Sequence, residues 1–222
     1  MYGDSSSNAA MARPASADTA APMDLLRTAV STLSDGDPGR GRTDQQSGRH
    51  SAARLIAQLP TIIARYHRRR QGLEPVAADP SLSYSENFLA MLHGERPDER
   101  TARAFDVAMI LHAEHELNAS TFTARVVAGT GADLTAAVVA AIAALSGPLH
   151  GGANEAAMAM FERFGSAERT PDAVRAMLER GEKLSGFGHP LYRAYDPRAV
   201  ILKRISEEFS AGGGEPDWYA IT

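Results

Sequence analysis

The chain of 222 residues carries a net charge of −4, with 44% hydrophobic and 23% charged side chains, which fits a soluble globular protein of one or two domains with a sizeable core. That charge argues against a nucleic-acid partner, and the complete lack of cysteine excludes disulfides, thiolate nucleophiles and cysteine-ligated metals. The longest apolar run, residues 136–145, is shorter than the roughly 20 residues a bilayer span needs, and the opening MYGDSSS has neither the basic region nor the apolar core of a secretory signal, so a cytoplasmic protein without membrane association is expected.

Residues 1–22 are rich in Ser, Ala and Asp and nearly free of large apolar side chains; such a segment cannot offset its ordering entropy and is predicted to be disordered. Pro22-Met23-Asp24 opens a helical pattern predicted to run through Leu33, with Leu26, Val30 and Leu33 on one face. Residues 35–50, full of Gly, Asp, Arg and Gln, read as a loop. Residues 51–70 place Leu55, Ile56, Leu59, Ile62, Ile63 and Tyr66 at helical spacing, with Pro60 as an internal kink. The basic cluster Arg65, His67, Arg68, Arg69 and Arg70 at its end reads as a solvated terminus complementing the helix dipole, in preference to a phosphate site. Residues 73–85 are irregular, 86–93 form a short helix stopped by Gly94, and Pro97 starts the next, whose stripe runs through Ala104, Val107, Ala108 and Leu111. Further helices are predicted at 122–128, 134–145, 155–164, 171–181 and 198–209. With no strand pattern of useful length and no internal repeat, the fold class is mainly α.

Three stretches depart from this plain helical pattern, and such departures tend to mark function. HAEHELNAS at 112–120 concentrates histidine, carboxylate, amide and hydroxyl groups where the stripe calls for core. His115-Glu116 lacks the second histidine of a zinc-protease motif, and His112 with His115 lacks a third metal ligand, so no metal site is expected. Gly129, Thr130 and Gly131 begin like a dinucleotide loop but lack its third glycine and preceding strand, and read as an interhelical turn. In GPLHGGANE at 147–155, Gly147 is suited to a left-handed helix end, Pro148 stops the helix, and His150 falls in a glycine-flanked turn with Asn154 as a cap for the helix that follows. Unpaired amides and the positive helix end would disfavour imidazolium there, leaving a neutral, hydrogen-bond-donating ring; the alternative is a satisfied histidine in a tight turn. His189, in GFGHPLY at 186–192, repeats that arrangement. Asp196-Pro197-Arg198 opens a helix, with Arg198 able to grip a carboxylate bidentately; the alternative is that Asp196 caps and Arg198 is merely exposed. Read from the residues alone, this inventory points to a site that polarises carbonyl groups of an anionic substrate, without naming the reaction.

GPLHGGANE, with LHAEHELNASTFTARVVAGTGAD before it and GFGHPLYRAYDPR after it, resembles the citrate synthase family, densely and in order, over about residues 23–222. The resemblance implies a multihelical fold with a partial large domain at 23–151 and an incomplete small domain at 152–222. It implies condensation of an acyl-CoA with oxaloacetate to citrate or 2-methylcitrate plus CoA, the chemistry of the tricarboxylic acid or methylcitrate cycle. His150 would donate to the thioester carbonyl, His189 would polarise the ketone of oxaloacetate, His115 and Arg198 would hold oxaloacetate, and Lys183, Gly186, Phe187 and Gly188 would contact CoA. No metal or cofactor is implied, since acyl-CoA is a substrate, and family members are typically homodimers. AEHE at 113–116, FTARVVAGTG and GFGHP look more like 2-methylcitrate synthases, whereas PLH and ELN look more like ordinary bacterial citrate synthases. The family's aspartate base lies downstream of the Asp-Pro-Arg motif in a segment this chain does not reach, so the chain is expected to be truncated; the alternative function is an inactive remnant that binds oxaloacetate or CoA, or only dimerises.

Overall fold

A computed structural model describes residues 20–42, 44–187, 195–212 and 217–221, and among these every regular element is helical. Residues 1–19 of the segment expected to be disordered lie outside the described residues. The chain divides into two units, Met1–Ser146 and Gly147–Thr222.

The first unit is built on α1 (Pro22–Ser31), which starts on a proline suited to the first turn and runs into a 3-10 turn, Thr32–Gly36. Its inward face is Leu25, Ala29 and Val30, continued by Leu33. α2 (Gln45–Arg70) begins six residues before the apolar periodicity does, which shortens the loop expected at 35–50. Its first turns are polar and give no stripe to read; the start is set by Asp44, whose carboxylate accepts from the Ser47 amide at 2.9 Å and the Ser47 hydroxyl at 2.8 Å. The helix continues across the buried Pro60. At its end Arg68 donates to the Glu74 carbonyl at 2.6 Å and Arg70 lies over the Tyr66 ring, so these two cations serve the helix terminus. Leu25, Ala29, Val30, Leu33, Leu55, Ile62, Tyr66 and Ile142 form the core, and the Tyr66 hydroxyl donates to the Ala20 carbonyl at 2.5 Å. Complete burial of a side chain such as Ile62, 0% exposed, stabilises by about 1.5–3 kcal/mol.

Successive helices then start on short polar caps. α3 (Tyr84–His93) has a reciprocal capping box between Ser83 and Glu86 and ends at Gly94, whose φ of 94° is left-handed. The buried Asn87 takes the Asp79 amide at 2.8 Å and donates to the Asp79 and Leu82 carbonyls, closing the preceding turn. α4 (Glu99–His112) is capped by Asp98, so Pro97 stands just outside the helix it was expected to open, and Phe105 stacks on Phe88 at 5.2 Å. α5 (Ala119–Ala128) is capped by Asn118 and α6 (Leu134–Leu145) by Asp133. Between them Gly131, at φ 83°, makes the interhelical turn. α6, rich in alanine, packs on α5 and α1.

The second unit contains α7 (Gly152–Phe164), α8 (Thr170–Glu179), α9 (Pro197–Ser210) and a single turn, α10 (Trp218–Ile221), which the sequence pattern did not reveal. Its core cluster is Met160, Phe164, Met177 and Ile221. Asp217 ties α10 to the end of α9, accepting from the Ser210 hydroxyl at 2.6 Å and from the Ala220 amide at 3.1 Å.

Candidate active site

His115 belongs to the first unit, on the irregular link between α4 and α5, and is half-buried. Both ends of that link are fixed by side chains bonded to backbone. At the near end the His112 Nδ1 is 2.6 Å from the Ala108 carbonyl; at the far end Asn118 accepts from the Thr121 amide at 2.9 Å. Between them Glu116 has φ 56°, the left-handed region that non-glycine residues seldom enter, and its amide donates to the Glu114 carboxylate at 2.7 Å. Neither the left-handed residue nor its carboxylate partner was foreseen from sequence. Asn118 followed three residues later by Thr121 was a cap signal that could have placed the start of α5.

His150 opens the second unit and is half-buried, beside a fully exposed Leu149. Its amide donates to the Gly147 carbonyl at 3.0 Å, and its carbonyl accepts from Ala153 at 3.1 Å. The Gly152 and Asn154 amides bond the carbonyls of Gly147 and Gly151. The first amides of α7, expected to be open, are therefore engaged within the turn: those of Ala153 and Asn154 reach back three residues and that of Gly152 five. The positive end of the α7 dipole lies at this turn. Two local expectations are corrected: the preceding helix ends on Ser146 in ordinary right-handed geometry, with no positive φ at Gly147, and Gly151 rather than Asn154 stands at the N-cap of α7.

Arg198 lies in the first turn of α9. Asp196 accepts from the Arg198 amide at 2.9 Å, and the same carboxylate takes the guanidinium through Nη2 at 2.7 Å and Nε at 3.1 and 3.2 Å. Asp196 therefore does cap the helix, but Arg198 is not the exposed residue of the alternative reading, since only 23% of its side chain is accessible. A ligand carboxylate at this fork meets an arginine already oriented and already neutralised.

Lys183 is exposed, Gly186 adopts φ 90° and Phe187 is 71% exposed. Next to Lys183, a hydrogen bond from Arg180 holds the Glu182 carboxyl below the usual carboxylate range. Gly188 and His189 lie outside the described residues. Neither of two clefts in the first unit, one of about 1120 Å³ beside Ser85, Arg96, Arg103 and Asp106 and one of about 410 Å³ beside Gly39, His50 and Arg54, is lined by any of the residues singled out from sequence. Among the described residues no group of three or more His, Asp or Glu is placed to hold a metal, and no helix is long and apolar enough to cross a membrane.

The model of the citrate synthase C-terminal domain matches residues 6–222. The chain belongs to the citrate synthase family. It is 45% identical over 201 residues to citrate synthase 2 of Bacillus subtilis, covering 90% of this chain and 54% of that protein. To the 2-methylcitrate synthase of Mycobacterium tuberculosis it is 47% identical over 204 residues, covering 92% and 51%. Among solved structures, the citrate synthase of Pyrobaculum aerophilum superposes with a TM-score of 0.85 at 38% identity, over 100% of this chain and 57% of that one. The Thermoplasma acidophilum citrate synthase, solved as a ternary complex with carboxymethyl coenzyme A and oxaloacetate, gives a TM-score of 0.86 at 31% identity, over 100% of this chain and 57% of that one. The multihelical fold expected from the resemblance is the fold of these citrate synthases. The chain spans about half the length of the curated relatives it matches.

Proposed function

We propose that this citrate synthase homologue takes part in condensing an acyl-CoA with oxaloacetate, giving citrate or 2-methylcitrate and free CoA. The observation that carries the reading is the match to the Thermoplasma ternary complex, which spans the whole chain and was solved with a CoA derivative and oxaloacetate bound. On this reading His150 donates to the thioester carbonyl, where charge develops as the enol forms; a positioned donor contributes a few kcal/mol there. His189 polarises the ketone, His115 and Arg198 hold the dicarboxylate, and Lys183, Gly186, Phe187 and Gly188 receive CoA. The two carboxylates of oxaloacetate need charge neutralisation and orientation, which an arginine fork supplies together, although here the ligand must compete with Asp196. Acyl-CoA is a substrate and no further cofactor is required. The large- and small-domain assignment, at 23–151 and 152–222, is proposed with it, as are a homodimeric state and a cytoplasmic location. The exposed Phe122, Val126 and Leu145 of α5 and α6 favour a second copy as the cover for that face.

Release of CoA thiol, measured with acetyl-CoA and separately with propionyl-CoA in the presence of oxaloacetate, tests this directly, because a chain without cysteine gives no thiol background. Release with one donor names the acyl specificity, which a single methylene shifts by only about 1–3 kcal/mol. A His150→Ala variant is expected to lower turnover by orders of magnitude, and undiminished turnover removes His150 from the reaction. Stabilisation by oxaloacetate without thiol release from either donor leaves a binding protein, and the absence of both effects overturns the proposal.

A further inference from the structure

The link that carries His115 contains a conformation its residue type disfavours. Glu116 is the one non-glycine residue with positive φ among the described residues, and it directly follows His115. A left-handed backbone at a residue with a Cβ persists only where surrounding bonds over-determine it. The bond that does so here is local and charge-assisted: the Glu114 carboxylate accepts from the Glu116 amide at 2.7 Å, spanning His115. With His112 bonded to the end of α4 and Asn118 capping α5, the backbone on either side of His115 is anchored, and the 114–116 bond sets the turn between those anchors.

We infer that Glu114 is a positioning residue: its carboxylate holds the left-handed turn at Glu116 and thereby fixes the direction in which the His115 imidazole is presented. This rests on the proposed role of His115 toward oxaloacetate, and the carboxylate itself touches no substrate. Loss of the carboxylate lets Glu116 relax out of the left-handed region and turns the peptide units flanking His115. A glycine at position 116 carries no such penalty and keeps the turn without the carboxylate.

The test uses the full chain, labelled with ring-13C histidine, with the His115 signal assigned by its loss in His115→Gln. Glu114→Ala is expected to shift or broaden the His115 ring signal while the His150 signal and the thermal midpoint stay at their wild-type values. The double variant Glu114→Ala/Glu116→Gly is expected to restore the signal. Where turnover is measurable, Glu114→Ala raises the oxaloacetate KM about tenfold, with kcat and the acyl-CoA KM little changed, and the double variant recovers most of the loss. A His115 signal unmoved by Glu114→Ala overturns the inference. A signal that moves but is not restored by Glu116→Gly also overturns it, because Glu114 then acts other than through the turn. Absence of turnover in the wild-type chain counts against the proposed reaction alone, since the ring signal still decides the role of Glu114.

Discussion

Ile62 in the first unit and Phe164 in the second are almost equally buried, at 0% and 2% exposure, yet they belong to cores of different depth. Ile62 sits among residues contributed by α1, the 3-10 turn, α2 and α6, so several elements share its surroundings. Phe164 shares a cluster with Met160, Met177 and Ile221, the last supplied by a single helical turn. The segments bearing the proposed chemistry do not follow that difference. His115 hangs between α4 and α5, and α5 buries none of its residues; Arg198 stands on α9, which buries none either and whose guanidinium is held by its own Asp196. Where packing is thin, short-range hydrogen bonds do the positioning.

Removing Phe164 is the strongest way to sharpen that contrast. Phe164→Ala is expected to cost about 3–5 kcal/mol, a loss the small core cannot absorb, so amide exchange over 152–179 should lose its protection while 22–66 keeps it. Equal loss in both units would erase the distinction. Ile62→Ala, expected to cost about 2–5 kcal/mol, should lower the denaturation midpoint of the first unit and leave it folded. Asn118→Ala removes a cap and should cost about 1 kcal/mol in urea unfolding, with the first turn of α5 fraying.

The smallest effect expected is acidic. The Ser47 backbone amide and hydroxyl lower Asp44 from 3.8 to about 2, and Ser83 in the same way, helped by Arg96, lowers Glu86 from 4.5 to about 2. Both groups bind protons more weakly folded than unfolded. Their contribution is therefore present above about pH 4.5 and is lost as pH falls toward 2. Asp217 in the second unit is lowered as well, by the Ser210 hydroxyl, so acid weakens both units. The distinguishing variant is Asp44→Asn, which should flatten the acid limb followed by reporters in the first unit and leave the second unchanged.

Much of the helical order was legible because its signals are local. Residues 134–145 were bounded correctly from an alanine-rich run between the Gly129–Gly131 break and Ser146-Gly147-Pro148, and Asp196 as a cap followed from its place before Pro197. The start of α2 was missed for the same physical reason. Its first turns carry no apolar stripe, and only the Asp44–Ser47 bonds mark them. The polar stretch around His115 and the turn around His150 stood out as departures from periodicity, but how each backbone is bonded did not, since engaged amides after His150 and open ones are written with the same letters.

By itself, then, the sequence determined the mainly α class, the order of the helices, the Asp196 cap, the break in periodicity around His115, the turn that bears His150, and the family. Each of these is encoded in side-chain type at spacings of one helical turn or less, or in motifs read in order. Only the tertiary structure decided that Ile221 completes a core with Met160, that Tyr66 reaches back to Ala20, that Glu116 is left-handed, and that Asp196 already fills the fork of Arg198. Those outcomes depend on which groups meet in space and which of several possible bonds prevails, and no local pattern of residue types fixes either.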